Sequence, residues 1–361
     1  MLEKVTLREI AVAARVSVAT ASRALNGTGR VSPEVVNRVR AAAAKLHSKP
    51  RHGGKTQTIC FLLANRSMLH PFHANVLMGA QEFAFEHQNH ILFYPFRYGS
   101  GVPPGDLRLP LLFEQRGLVD GYIVGGMNSE NLLELLRRMN VPFAVLGNNV
   151  LGSWQSDRCD TVWMDDGTGA YELTQYLQSL GHEAIWFVGS RRFPTSTLYR
   201  GYRRAMNEMG LEPLSVENDS EDERDAGYLA AKSLFAKGVP VTSIFAYNDI
   251  VAQGAIEAAQ GCGLRIPDEI TIVGFGDRPE ARALSPALTT VWAYPDQVGR
   301  RLAELVLNRI DNPGEPPQKV ILPTRVVKRN SCAKAAHVES ITRKLSRYVY
   351  EHSSEPNAPK P

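Results

Sequence analysis

Between positions 17 and 26 the sequence sets short, mostly hydroxylated side chains around a single cation: Ser17, Ala19, Thr20, Ser22, Arg23 and Asn26. Groups of this kind suit a nucleic acid. A guanidinium can pair with a guanine edge, hydroxyls and amides meet phosphates, and small side chains let a helix come close to the bases. The charge balance points the same way. Residues 1–55 hold eleven Lys or Arg against three acids, a net +8, while the remainder holds 30 basic and 34 acidic residues, a net −4. A basic head on a mildly acidic body implies a polyanionic partner. Charge alone also fits a solvated surface, so the elements that carry it must decide.

Other chemistries find little support. No nucleophile elbow, phosphate loop or His-Glu-x-x-His helix is present, and the glycines of 99–105 lack a strand-glycine-helix context. Catalysis is therefore not expected, and no cofactor is implied. Cys60, Cys159, Cys262 and Cys332 lie far apart, which suggests neither a disulfide framework nor zinc. His70 and His73 stand away from other ligand types, so no metal is expected. Asn248-Asp249 sits at a strand end, where it either faces a ligand or caps a helix starting at Ile250.

Three short helices must position the basic residues. Thr6 and Glu9 have the spacing of a capping box, with Val5 and Ile10 as its hydrophobic staple. Ser17 can cap a second helix over 18–26, and Ser32 before Pro33 a third that runs to about Leu46. Apolar residues recur at helical spacing in each, as in Ile10, Ala11 and Ala14, then Val18, Ala21 and Leu25, then Val35, Val39 and Ala43. Arg15-Val16-Ser17 leaves room only for a tight turn. The second helix must cross the first steeply, which is helix-turn-helix geometry.

From Gln57 onward, apolar runs at 58–63, 90–96, 119–124, 142–146, 184–188, 242–246 and 270–274 alternate with amphipathic segments such as 72–88, 129–140, 166–180 and 249–262. This predicts an α/β body with parallel sheets, and its length favours two lobes. The first twenty residues are too charged for a signal core and no later stretch is long enough to span a bilayer, so a cytoplasmic protein with no membrane partner is expected.

The runs Val5-Thr6-Leu7-Arg8-Glu9-Ile10-Ala11 and Val16-Ser17-Val18-Ala19-Thr20-Ala21-Ser22-Arg23-Ala24-Leu25-Asn26-Gly27 closely resemble the head of the lactose-repressor and galactose-repressor (LacI/GalR) family of transcription regulators. Val119-Asp120-Gly121, Leu180-Gly181-His182, Tyr247-Asn248-Asp249, Ile266-Pro267-Asp268, Val273-Gly274-Phe275 and Leu288-Thr289-Thr290-Val291 extend the resemblance over roughly residues 5–332. It implies a helix-turn-helix head at 1–50, a linker at 51–57, and a periplasmic-binding-protein-like body at 58–332. Lobe 1 would take about 58–158 and 294–318, lobe 2 about 159–293 and 319–332, leaving a tail at 333–361. The implied function is a repressor that binds a near-palindromic double-stranded DNA operator as a homodimer. A small-molecule effector would bind between the lobes. By the resemblance Val18, Ala19 and Arg23 read bases while Ser17, Thr20, Ser22 and Asn26 meet phosphates, and Thr6 joins this set. A solute-binding protein would share the body but needs no basic head.

The cleft departs from the family pattern. Phe72 and His73 stand where the family places cleft-lining residues, and Asn248 and Asp249 are retained. The family's arginine falls on Leu198 with Arg200 nearby, its first acid after the Gly-Phe pair falls on Gly276 leaving Asp277, and another acid falls on Gly147 followed by Asn148. The resulting effector set is Phe72, His73, Asn148, Arg200, Asn248, Asp249 and Asp277, and no sugar is implied. Arg15 replaces the glycine usual in the turn. The linker also differs, because Pro50 and Gly53-Gly54 disfavour a hinge helix and no leucine is present to wedge into a minor groove. In the tail, Ile341, Leu345, Tyr348 and Val349 have the spacing of one short amphipathic helix.

Overall fold

The computed structural model describes residues 7–26, 31–48, 55–66, 71–110, 113, 117–152, 154, 156–190 and 196–353. Thr6, residues 49–54 at the join of head and linker, and the end of the tail lie outside them.

The head consists of α1 (Leu7–Ala13), α2 (Val18–Asn26) and α3 (Pro33–Ser48). Its core takes most of the expected stripe: Ile10, Ala11, Ala14, Ala21 and Val39 are buried together with Ala24, whereas Val18, expected in the stripe, is exposed. The Ser17 hydroxyl accepts from Thr20 N at 3.0 Å and caps α2, while Ser32 accepts from Val35 N at 3.4 Å and caps α3. Arg15 has φ 53°, a left-handed turn residue whose cost is about 1 kcal/mol for a non-glycine. Arg38 Nε donates to Ala14 O at 3.0 Å and pins α3 to the end of α1.

In chain order the body strands are β1 (Thr58–Ala64), β2 (His90–Phe96), β3 (Gly121–Gly126), β4 (Asn128–Ser129), β5 (Phe143–Leu146), β6 (Val150–Leu151) and β7 (Asp160–Met164). Then come β8 (Ile185–Ser190), β9 (Leu214–Asn218), β10 (Ser243–Ala246), β11 (Thr271–Val273), β12 (Thr290–Trp292), β13 (Lys319–Leu322) and β14 (Arg325–Val327). Lobe 1 is a six-stranded parallel sheet of order β13-β7-β5-β3-β1-β2, with β1 aligned Thr58 to His90 along β2. Lobe 2 is a four-stranded parallel sheet of order β11-β10-β8-β9. Helices cover both faces of each sheet, so the central strands are apolar throughout, as Ile59–Ala64 shows by its complete burial.

Two boundaries differ from the sequence expectation. β7 and β13, assigned to lobe 2, pair with each other and with β5 in the sheet of lobe 1. The chain thus changes lobe just after Met164, at Ala293–Pro295, and between β13 and β14. Asp165 N donates to Leu322 O at 2.9 Å and Thr324 Oγ1 to Asp165 O at 3.1 Å, which binds two of these crossings together. The tail forms the amphipathic helix expected of it. Val338–Ser353 is a helix docked on lobe 2, with Ile341 and Leu345 inside its core and Lys344 paired to Glu269 at 2.9 Å.

Candidate DNA-reading helix and interlobe cleft

On α2, Val18, Ala19 and Arg23 point outward and are exposed, while Thr20 and Ser22 are half-buried beside the core. Ser17 and Thr20 share a hydroxyl contact of 2.8 Å, and Arg23 Nε rests on Ala19 O at 3.2 Å. The α2 capping serine and the turn fix the helix, so its outward face is presented on a rigid support. Asn26 closes the helix.

The second site is a cleft of about 550 Å³ between the lobes. It lies beyond the carboxyl ends of β1, β7, β10 and β11, the position where open α/β sheets bind ligands. Lobe 1 contributes Arg66, Phe72 and His73; lobe 2 contributes Leu198, Tyr247, Asn248 and the 275–278 loop. The crossings add Met164, Asp166, Trp292 and Ala293. At the mouth, Arg66 and Glu223 face each other across the lobes at 3.9 Å, and Asn248 Nδ2 donates to Glu223 Oε2 at 3.0 Å.

Of the seven residues expected to hold an effector, Phe72, His73, Asn248 and Asp277 line this cleft. Asn248 lines the cleft and also caps the following helix, its Oδ1 accepting from Ile250 N and Val251 N at 3.0 and 2.9 Å. Asp277 is buried and its carboxylate is held by Arg329, with Arg282 3.5 Å away. The other three are placed elsewhere. Arg200 is exposed on the helix Thr197–Glu208, and Leu198, buried, takes the wall in its stead. Asn148 stands behind the lining: its Nδ2 donates to Asp166 Oδ2 at 2.7 Å and its Oδ1 accepts from Met164 N at 2.8 Å.

Asp249 is also a support. It is 4 % exposed, accepting from Thr290 Oγ1 at 2.6 Å and from Arg278 N at 2.7 Å. Burial pushes its carboxyl up to about 6, against those two bonds.

The missing acids have backbone reasons. Gly276 adopts φ +125°, a conformation that side chains rarely tolerate, so an acid there would strain the loop. At Gly147 a Cβ would run into the Trp163 indole, so no side chain fits there without moving that ring.

Several cleft groups escaped the sequence reading, among them Arg66 and Glu223 at the mouth and Asp166, Arg278 and Trp292 in the wall. Asp166 follows β7, a strand the apolar runs did not reveal; its Oδ1 is buried without a partner among the described residues. Burial drives this carboxyl up to about 7, Asn148 opposes the shift, and Asp165 adds to it. Arg278 Nη1 and Trp292 Nε1 are likewise buried without partners among the described residues. Their signals were an arginine directly after Asp277 and a tryptophan directly after the Thr-Thr-Val motif. Tyr247, beside Asp166, is raised to about 12 by burial and then by that acid.

Head and cleft together define a two-lobed ligand-binding body carrying a helix-turn-helix. The profile for bacterial regulatory proteins of the lacI family matches residues 6–50, and that for a periplasmic binding protein-like domain matches 174–332. The ribose operon repressor of Haemophilus influenzae is 27% identical over 337 residues, covering 90% of this chain and 98% of its own. The HTH-type transcriptional repressor PurR of Edwardsiella ictaluri is 29% identical over 347 residues, covering 92% and 98%. A LacI family transcriptional regulator from Enterococcus faecium, solved with bound ribose, superposes with a TM-score of 0.65 at 25% identity, covering 77% of this chain and 100% of that one. The head matches the lacI family of bacterial regulatory proteins, and along nine-tenths of its length the chain is similar to transcriptional repressors. Among the described residues no helix is long and apolar enough to cross a membrane.

Proposed function

We propose that this protein represses transcription in the cytoplasm by binding a near-palindromic operator as a homodimer, with α2 in the major groove, and that a small molecule between its lobes sets its DNA affinity. The observation that carries the proposal is the exposed Val18-Ala19-Arg23 face of α2, fixed by the Ser17 cap on a head of net +8. Val18, Ala19 and Arg23 would contact bases; Ser17, Thr20, Ser22, Asn26 and Thr6 would hold the phosphates and the helix entry. One short helix reads too few base pairs for selectivity, which supports pairing of two heads. The function proposed is binding and regulation without catalysis, in line with curated relatives named as regulators. Gel shifts on the DNA upstream of the chain's own gene test this reading. The wild type should give a sequence-specific complex, and Arg23→Ala should weaken it by roughly 1–3 kcal/mol while leaving thermal unfolding unchanged. An Arg23→Ala protein with undiminished operator affinity would remove the base-reading role from α2.

A further inference from the structure

Resting on the cleft reading above, we infer that the molecule held between the lobes is a small hydroxylated anion, a sugar acid or a sugar phosphate, whose acidic group meets Arg278 and whose hydroxyl meets Asp166.

The inference starts from the three polar atoms of the cleft wall that are buried and unpartnered among the described residues: Arg278 Nη1, Trp292 Nε1 and Asp166 Oδ1. Buried donors and acceptors are costly unless satisfied, and a guanidinium most of all. The Arg278 side chain is only 15% exposed, and its neighbour Glu280 reaches Nε at a long 3.4 Å, leaving Nη1 buried without a partner among the described residues. An anionic oxygen is the partner that satisfies this N–H best, because a charge-assisted bond is about twice as strong as a neutral one.

The loop holding Arg278 is rigid. Its backbone N is fixed on Asp249, and the preceding Asp277 is occupied by Arg329, so the neighbouring acid is not available to neutralise Arg278. At the opposite polarity, Asp166 Oδ2 is engaged by Asn148, leaving Oδ1 to accept from a ligand. With burial holding that carboxyl near neutrality in pH, a neutral hydroxyl, able to donate or accept, suits it in both protonation states. A fixed ammonium would suit one state only. Trp292 Nε1 then needs an acceptor, which a second hydroxyl or the acidic group provides, and its ring and Phe72 offer apolar faces for the carbon skeleton. Asp166 and Trp292 also sit at two of the lobe crossings. A ligand bridging them to Arg278 would tie the crossings to the lobe 2 loop, the kind of contact that biases one lobe arrangement over another.

The test is calorimetric titration of the full chain with a panel of aldonates and hexuronates, of hexose phosphates, and of the neutral parent sugars. At least one acid or phosphate should bind, at least about 10-fold more tightly than its neutral parent, the factor a charged hydrogen bond supplies. Which arm responds tells carboxylate from phosphate. Arg278→Gln should erase the preference and Arg278→Lys should restore part of it, with circular dichroism confirming that both fold. Asp166→Ala should weaken binding of the same compound, because it removes the group that meets the ligand's hydroxyl. Neutral sugars binding as tightly as the acids, or a preference that survives Arg278→Gln, would overturn the inference while leaving the effector cleft standing. Silence across the whole panel would overturn the inference and leave the effector role to be judged on other classes of small molecule, with the operator complex in gel shifts judging the head separately.

Discussion

Asp249 separates a supporting role from a ligand contact. Its carboxylate sits behind the cleft wall, holding Thr290 Oγ1 and Arg278 N. Asp249→Ala would leave both donors buried and unpaired, at about 1–3 kcal/mol each, or roughly 2–6 kcal/mol together. Relief from burying a carboxylate offsets part of this. The carboxyl is raised from 3.8 to about 6, which at neutral pH corresponds to roughly 3 kcal/mol. The net expectation at pH 7 runs from a gain of about 1 kcal/mol to a loss of about 3 kcal/mol, the upper end being a fall in Tm of up to about 10 °C. The sign of its pH dependence also follows. Because the folded value lies above the unfolded one, the offset shrinks as pH falls from 7 to 5, and Asp249→Ala should cost more at pH 5 than at pH 7. Asp249→Asn, which keeps an acceptor and removes the buried charge, should stay within about 1 kcal/mol of wild type. Differential scanning calorimetry at the two pH values measures all of this. An Asp249→Ala protein that melts with the wild type at both pH values yet binds no ligand would make Asp249 a direct contact rather than a support.

Three further outcomes are expected. Asp166, flanked by Asp165, Tyr247 and Asn148, titrates at about 7 when folded against an ordinary 3.8, so the wild type should lose stability as pH rises through that window; Asp166→Asn should melt higher at pH 8 and converge on wild type near pH 4. Arg309 grips the buried Asp160 through Nε and Nη2 at 2.8 and 2.9 Å, tying the helix Pro295–Asp311 to β7; Arg309→Met should cost about 3–5 kcal/mol in urea unfolding, and a change below 1 kcal/mol would deny the pair its role. The linker, lacking a leucine wedge and carrying Pro50 and Gly53-Gly54, should bend the operator little and couple it weakly to the cleft; a sharp central kink in circular-permutation gel shifts would contradict this.

The head was legible because its signals are local: Ser17, Ser32 and the Arg15 turn act within a few residues, and α2 spans 18–26 as its cap and periodicity require. Long apolar runs gave β1, β2 and β10 for the same reason. β7 was missed because Asp160-Thr161-Val162-Trp163-Met164 mixes polar residues into a buried strand, where Asp160 is satisfied by Arg309 from far along the chain. With β7 went Asp166, the acid that follows it. The cleft was the least legible part. Asp249 and Arg278 are three decades of sequence apart, and whether either faces the ligand depends on Thr290 and Arg329, which no local pattern links to them. Gly276 and Gly147 read as losses of function in the sequence, whereas a left-handed backbone and the Trp163 ring account for them. The linker segment 55–57 is fastened to the body, with Lys55 paired to Asp311 and Thr56 N donating to Asp120 at 2.9 Å.

The central claim is that two copies of α2 read DNA from one dimer. Selection of binding sites by the full-length protein from a pool of random duplexes, followed by sequencing, tests it most directly. The account predicts enrichment of a two-fold-related pair of half-sites, with Arg23→Ala relaxing the choice of base at one position in each half. Enrichment of a single unpaired half-site, or binding that vanishes with salt and selects no sequence at all, would contradict it.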